Sequence, residues 1–124
     1  MSKVLIVDDS AMIREMVSVH LTDGGFQVVE AFDGADGIEK LKSAQFDLVI
    51  TDVVMPNVNG YEFCRWVKNN PSTKSLPVLM CTTKSEEFDK YWGMKQGADA
   101  YIVKPYKPEE LLSMVKKLLS AVKS

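Results

Sequence analysis

DLVITDVVMPNVNG (residues 47–60) sets a short apolar run, Leu48 to Ile50, just ahead of a carboxylate, Asp52. It then stays apolar through Val53, Val54 and Met55 before Pro56 and Gly60. A run of that length without polar alternation reads as a strand covered on both faces, as in a parallel sheet. A carboxylate at the end of such a strand is costly unless something pairs with it. Either Asp52 serves a turn, or a charged partner arrives there from elsewhere.

Similar runs recur on both sides of this stretch: VLIV (4–7), QVVEA (27–31), PVLM (77–80) and AYIV (100–103). Helical patterns separate them. Ile13, Met16, Val17 and Leu21 recur at helical spacing within 11–22, and Ile38 and Leu41 do so within 35–43. Segments 60–69 and 86–96 also read as helices, the second interrupted by Gly93. The clearest helix spans 108–122, where Leu111, Leu112, Val115, Leu118, Leu119 and Val122 form one stripe, with Lys116, Lys117 and Lys123 towards its end. Gly24-Gly25, Asp33-Gly34 and Gly97 punctuate turns and helix ends. The order is (βα)5. Parallel strands need crossovers, and right-handed crossovers give a doubly wound, three-layer α/β sandwich.

At 124 residues the chain is expected to be one domain, 1–124, with no output domain attached. A net charge of −2 weighs against nucleic acid as a partner, because phosphate binding needs a basic face. Cys64 and Cys81 form no CxxC and read as free, reduced thiols. MSKVLIVDDS runs directly into the first strand, without a signal peptide, and no run reaches transmembrane length. The expected location is the cytoplasm, without membrane insertion.

In an open parallel sheet, ligands bind beyond the carboxyl ends of the strands, where the strand order reverses. Asp8 and Asp9 follow the first strand, Asp52 the third, Thr82 and Thr83 the fourth, and Lys104 and Pro105 the fifth. Ala31-Phe32-Asp33 closes the second, which reads as an edge strand away from the site. If the first and third strands are neighbours, Asp8, Asp9 and Asp52 come together. Three such carboxylates either raise one another's pKa or recruit a cation. All are hard oxygen donors, which selects Mg2+, or Mn2+, over Zn2+. Three carboxylates and one lysine leave two negative charges for a divalent ion to balance, so that a phosphoryl group can be held. Lys104 and a threonine hydroxyl suit its oxygens, and an aspartate is a competent phosphoryl acceptor. Taken singly, each residue has a plainer role: Asp9 or Ser10 as a helix cap, Asp52 as a turn residue, Lys104 as a surface lysine. Their joint placement at four strand ends carries the inference.

These stretches together resemble the receiver domain of two-component response regulators, of the single-domain CheY-like type, over essentially the whole chain. VLIVDDS is similar to that family's acidic pair, DLVITDVVMPNVNG to its phosphoacceptor strand and loop, PVLMCTT to its hydroxyl-bearing strand, and AYIVKPY to its aromatic, lysine and proline. The resemblance implies a flavodoxin-like sheet of order 2-1-3-4-5. It implies that Asp52 accepts the phosphoryl group, and that Asp9, Asp52 and the backbone carbonyl of Val54 bind Mg2+ directly, with Asp8 acting largely through water. It implies phosphoryl contacts from Thr82 and Lys104, a switch formed by Thr82 and Tyr101, and a cis bond before Pro105. A histidine kinase would be the donor. The downstream protein would bind strand 5 and the helices over 86–96 and 108–122, and the receiver would be a monomer that catalyses only its own phosphorylation and dephosphorylation. Val54, Thr83 and Lys84 depart from the usual pattern. Val54 cannot orient an attacking water, so slow loss of phosphate is expected, and Lys84 suits an anionic donor or partner. Residues 82–105 also resemble receivers of type IV pilus, twitching and phototactic motility.

Phe88, Tyr91 and Trp92 fall at i, i+3, i+4, a stripe more often core than binding face; three aromatics on one short helix are many to bury, and one or two are expected to form a partner patch with Tyr101 and Met94. Tyr61 and Phe63 read as packing residues, and His20 as a partly exposed helix residue. The enzyme alternative is a haloacid-dehalogenase-like phosphatase, in which Asp8 would be the nucleophile; its DxD spacing is absent. The other alternative is a flavodoxin, whose first loop must cradle a phosphate that Asp8 and Asp9 would repel.

Overall fold

Side chains alternate between the two faces of a strand, and here both faces are apolar. In the first strand Val4 and Ile6 join one buried cluster, and Leu5 and Val7 join the other. The computed structural model describes residues 2–53, 58–82, 95, 97–104 and 106–123. Along them run β1 (Lys3–Val7), α1 (Ala11–Asp23), β2 (Gln27–Ala31), α2 (Gly34–Ser43), β3 (Leu48–Asp52), α3 (Gly60–Asn69), β4 (Val78–Thr82), β5 (Ala100–Val103) and α4 (Pro108–Lys123). The helix expected over 86–96, with Phe88, Tyr91, Trp92 and Met94, falls almost wholly outside the described residues.

The strands form one parallel sheet of order β2-β1-β3-β4-β5. α1 and α4 cover one face, burying Val17, Leu21, Leu111, Val115 and Leu119 with Ile50, Leu79 and Ile102. α2 and α3 cover the other, burying Leu41, Phe63, Cys64 and Val67 with Val49, Val78 and Met80. Each such side chain contributes about 1.5–3 kcal/mol of hydrophobic stabilisation. Tyr61 packs against the second of these clusters, as expected of it, and His20 is half-buried. Among the described residues, no helix is long and apolar enough to cross a membrane.

Three expectations need correction. Met16 is 44% exposed: Ile13, Val17 and Leu21 face the sheet at four-residue intervals, and Met16 is turned about 100° away from Val17. β3 and β4 also run further than their apolar cores, to Asp52 and Thr82 instead of residues 50 and 80. Asp52 pairs with Cys81 and Thr82 with Val103, because a ladder is held by backbone groups and does not stop where side chains turn polar. The two residues therefore close their strands instead of opening the loops that follow.

Candidate functional site

The carboxyl ends of β1 and β3 are adjacent in the sheet, so Asp8 and Asp9 meet Asp52. Local chemistry then separates the roles of the acidic pair. Ser10 caps α1, its side chain accepting from the Ile13 N–H at 3.3 Å. Asp9 is thereby left out of the cap, exposed on the rim. Asp8 is only 4% exposed: its Oδ1 accepts from the Ser10 N–H at 2.9 Å and its Oδ2 from the Lys104 ammonium at 3.1 Å. Lys104 also lies 3.4 Å from Asp52 Oδ1, which accepts from the Val53 N–H at 2.9 Å. Asp33 is accounted for as the cap of α2, where it accepts from Asp36 N–H.

Each of Asp8, Asp9 and Asp52 offers one carboxylate oxygen, and these oxygens lie within 4.8 Å of one another. That is a compact, hard-oxygen donor set, and it fits a Mg2+-type ion. Burial raises the pKa of Asp52; Lys104 opposes this, and Asp8 adds to it. Burial also works to lower the pKa of Lys104, but Asp52 and Asp8 outweigh it and the ammonium is held protonated. Three carboxyl groups thus gather around a single ammonium.

Gly60, first residue of α3, approaches this site closely. Its N–H donates to the Val53 carbonyl at 2.8 Å, and a Cβ there would collide with the Asp52 carbonyl. The α3 start is further held by a reciprocal cap between Asn59 and Glu62. Only glycine lets the helix sit against the end of β3.

Thr82 closes β4 in register with Val103, and Tyr101 sits half-buried on β5, packed on the α2–α3 face. Val54, Thr83, Lys84 and Pro105 lie outside the described residues, and with them the Val54 carbonyl, the dephosphorylation-tuning positions and the cis bond. Sequence reasoning missed Arg14, Glu30 and Tyr106. Arg14 Nη1 donates to the Asp8 carbonyl at 2.7 Å, and its Nε to Glu30 at 3.2 Å. Tyr106 packs against the buried cluster that holds Cys81, behind the site. Only knowledge of which strands are neighbours would have picked them out.

Residues 4–116 match the family model of the response regulator receiver domain. The response regulator ArlR of Staphylococcus saprophyticus is 39% identical over 119 residues, covering 96% of this chain and 53% of ArlR. The chain therefore spans about half the length of the curated relatives it matches. Among solved structures, the chemotaxis protein CheY4 of Vibrio cholerae is similar at a TM-score of 0.91 and 42% identity, over 95% of this chain and 98% of that one. The receiver domain of a signal transduction histidine kinase from Syntrophus aciditrophicus is similar at 0.93 and 37%, over 99% and 93% respectively. The chain belongs to the response regulator receiver domain family: a phosphoacceptor module of two-component signalling, not a classical enzyme. The dehalogenase-like and flavodoxin alternatives are set aside. Asp8, the nucleophile of the former, is packed with both carboxylate oxygens engaged.

Proposed function

We propose that this receiver domain takes a phosphoryl group from a kinase phosphohistidine onto Asp52. The carrying observation is the Lys104 ammonium between Asp8 and Asp52, with Asp9 exposed beside them. An Asp52 carboxylate oxygen attacks phosphorus, the P–N bond breaks, and its electron pair stays on the histidine ring. Lys104 is already at hydrogen-bonding range of the acceptor carboxylate and contacts a phosphoryl oxygen; the Thr82 hydroxyl takes another. Asp8, Asp9, Asp52 and the Val54 carbonyl are the groups that would hold Mg2+ (or Mn2+), which when bound supplies positive charge for the phosphoryl oxygens. Its hard-oxygen donor set is the support for that choice of ion.

The product carries added charge at the end of β3. Lys104 is then shared between Asp8 and the phosphoryl group, and Thr82 and Tyr101 carry the change to β5 and its flanking helices, where a protein target binds. We further read residues 1–124 as a single receiver unit, monomeric and cytoplasmic, in chemotaxis or motility signalling. The likeness to a chemotaxis protein and the motility-type segment 82–105 support the pathway. A deletion strain with normal motility and normal taxis overturns that assignment.

The direct test is acetyl phosphate, or beryllofluoride, with Mg2+. Wild type forms one adduct, detected by intact mass for phosphate and by 19F NMR for beryllofluoride, and Asp52→Ala forms none. An adduct that persists on Asp52→Ala sinks the assignment.

A further inference from the structure

Asp9 is the exposed member of the acidic cluster, and helix capping does not hold it in place. Its direction depends on the peptide that joins it to Asp8. That unit is planar, so fixing the Asp8 carbonyl fixes the plane from which Asp9 departs. The carbonyl accepts from Arg14 Nη1 at 2.7 Å. The other polar groups of Asp8 are held by the loop, the sheet and the site: N–H to the Ala31 carbonyl at 3.1 Å, Oδ1 by Ser10, Oδ2 by Lys104. Arg14 is itself oriented. Its Nε donates to Glu30 Oε1 at 3.2 Å, and Ser18 Oγ donates to Glu30 Oε2 at 3.1 Å. The Arg14 side chain is 18% exposed and that of Glu30 42%, so it is the geometry of this pairing, and not its charge, that serves to orient Arg14.

We infer that Arg14 is a positioning residue for the divalent-cation site: anchored to Glu30 on the edge strand β2, it fixes the Asp8–Asp9 peptide and so aims the Asp9 carboxylate. This rests on the metal reading above. Ser18 completes the brace from the next turn of α1. The arrangement uses the guanidinium fork, which reaches a carbonyl and a carboxylate at once; a lysine ammonium on the same helix position is a point charge and does not reproduce it.

Two explanations of Arg14 predict opposite signs. As a charge near the cluster, Arg14 repels a cation, so its removal should tighten binding. As a positioning residue, its removal should weaken binding although a repulsive charge has gone. A purely structural brace would lower thermal stability and leave affinity alone.

The experiment titrates the full chain with Mg2+ or Mn2+ alone, by calorimetry or Mn2+ resonance, alongside thermal melts in EDTA. Arg14→Ala and Arg14→Lys are expected to bind about tenfold more weakly than wild type, the usual scale for groups that orient a metal ligand. Glu30→Gln and Ser18→Ala are expected to weaken it by smaller factors in that order. Affinity in Arg14→Ala equal to or tighter than wild type overturns the inference, as does wild-type affinity in Arg14→Lys. If Arg14→Ala does not fold, Arg14→Lys and Glu30→Gln decide the question by the same criterion. A wild type that binds neither ion overturns the metal reading and this inference together; wild-type binding with unaltered variants overturns this inference alone.

Discussion

Lys104 Nζ lies 3.1 Å from Asp8 Oδ2, a contact between residues 96 positions apart that joins the ends of β5 and β1 across two intervening strands. Asp8 and Lys104 have side chains 6% and 16% exposed, so water screens neither well. Removal of the ammonium strands Asp8 and Asp52 together. Lys104→Ala should cost about 2 kcal/mol at neutral pH in EDTA, below the 3–5 kcal/mol of a fully buried pair because the site is partly open. Urea denaturation measures this. Mg2+ should restore much of the loss, whereas equal losses with and without the ion would contradict the electrostatic account.

Asp52 has the opposite sign. Its folded pKa is raised above the ordinary value of an aspartate, chiefly by burial. The stability attached to this group is therefore present in full below its unfolded pKa and lost as pH rises through the folded value. Asp52→Asn should melt higher than wild type at pH 7 in EDTA, with the advantage shrinking as pH falls through the folded value and gone below the unfolded pKa of about 4. A pH series of melting temperatures tests it; an advantage that grows on acidification contradicts it.

Gly60→Ala places a methyl group against the Asp52 carbonyl and within 2.8 Å of Val53 Cα. Overpacking of this kind costs about 1–3 kcal/mol. The expected result is a lower urea midpoint together with slower labelling by acetyl phosphate, since the backbone that must shift carries the acceptor.

Cys64 and Cys81 are both buried, which pushes their thiols up to about 11 and about 12. Neither thiolate is populated at pH 8, and neither sulfur is accessible. A chromogenic disulfide should titrate no thiols in the native protein and two after denaturation. Fast reaction of Cys81 in the native state would mean that it is not buried as described.

Phosphate loss should be slow, because Val54 offers no group to orient water. In purified protein with Mg2+, the half-life of labelled Asp52 is expected to run well beyond seconds. Val54→Asn should shorten it about tenfold or more, within the usual range for supplying a positioned polar group. A wild-type half-life of a few seconds contradicts the role given to Val54.

Much of the site is legible because its chemistry sits on strand ends. Short apolar runs, each followed by a carboxylate, hydroxyl or lysine, are local patterns, and sheet topology brings local ends to one edge. Gly60 was visible as the stop of an apolar loop, but its reason, contact with the Asp52 carbonyl, was not. The choice between Asp9 and Ser10 as helix cap also stayed open, since both have a side-chain oxygen able to accept from the first turn. Geometry gave the cap to Ser10 and released Asp9 to the cluster.

Residue pattern alone determined the (βα)5 order, the two-sided burial of the central strands, and the placement of the acidic pair, Asp52 and Lys104 at strand ends; their convergence rested on the strand order that the family resemblance implies. Tertiary structure decided what those groups touch. That Lys104 spans Asp8 and Asp52, and that Arg14, anchored to Glu30, grips the Asp8 carbonyl, depend on the order of strands joined by long crossovers, and that Met16 faces outward depends on how α1 docks on the sheet. Periodicity and capping act within about one helical turn and are written in neighbouring residues. Contacts across the sheet are set by the packing of whole layers, and no short stretch of sequence carries them.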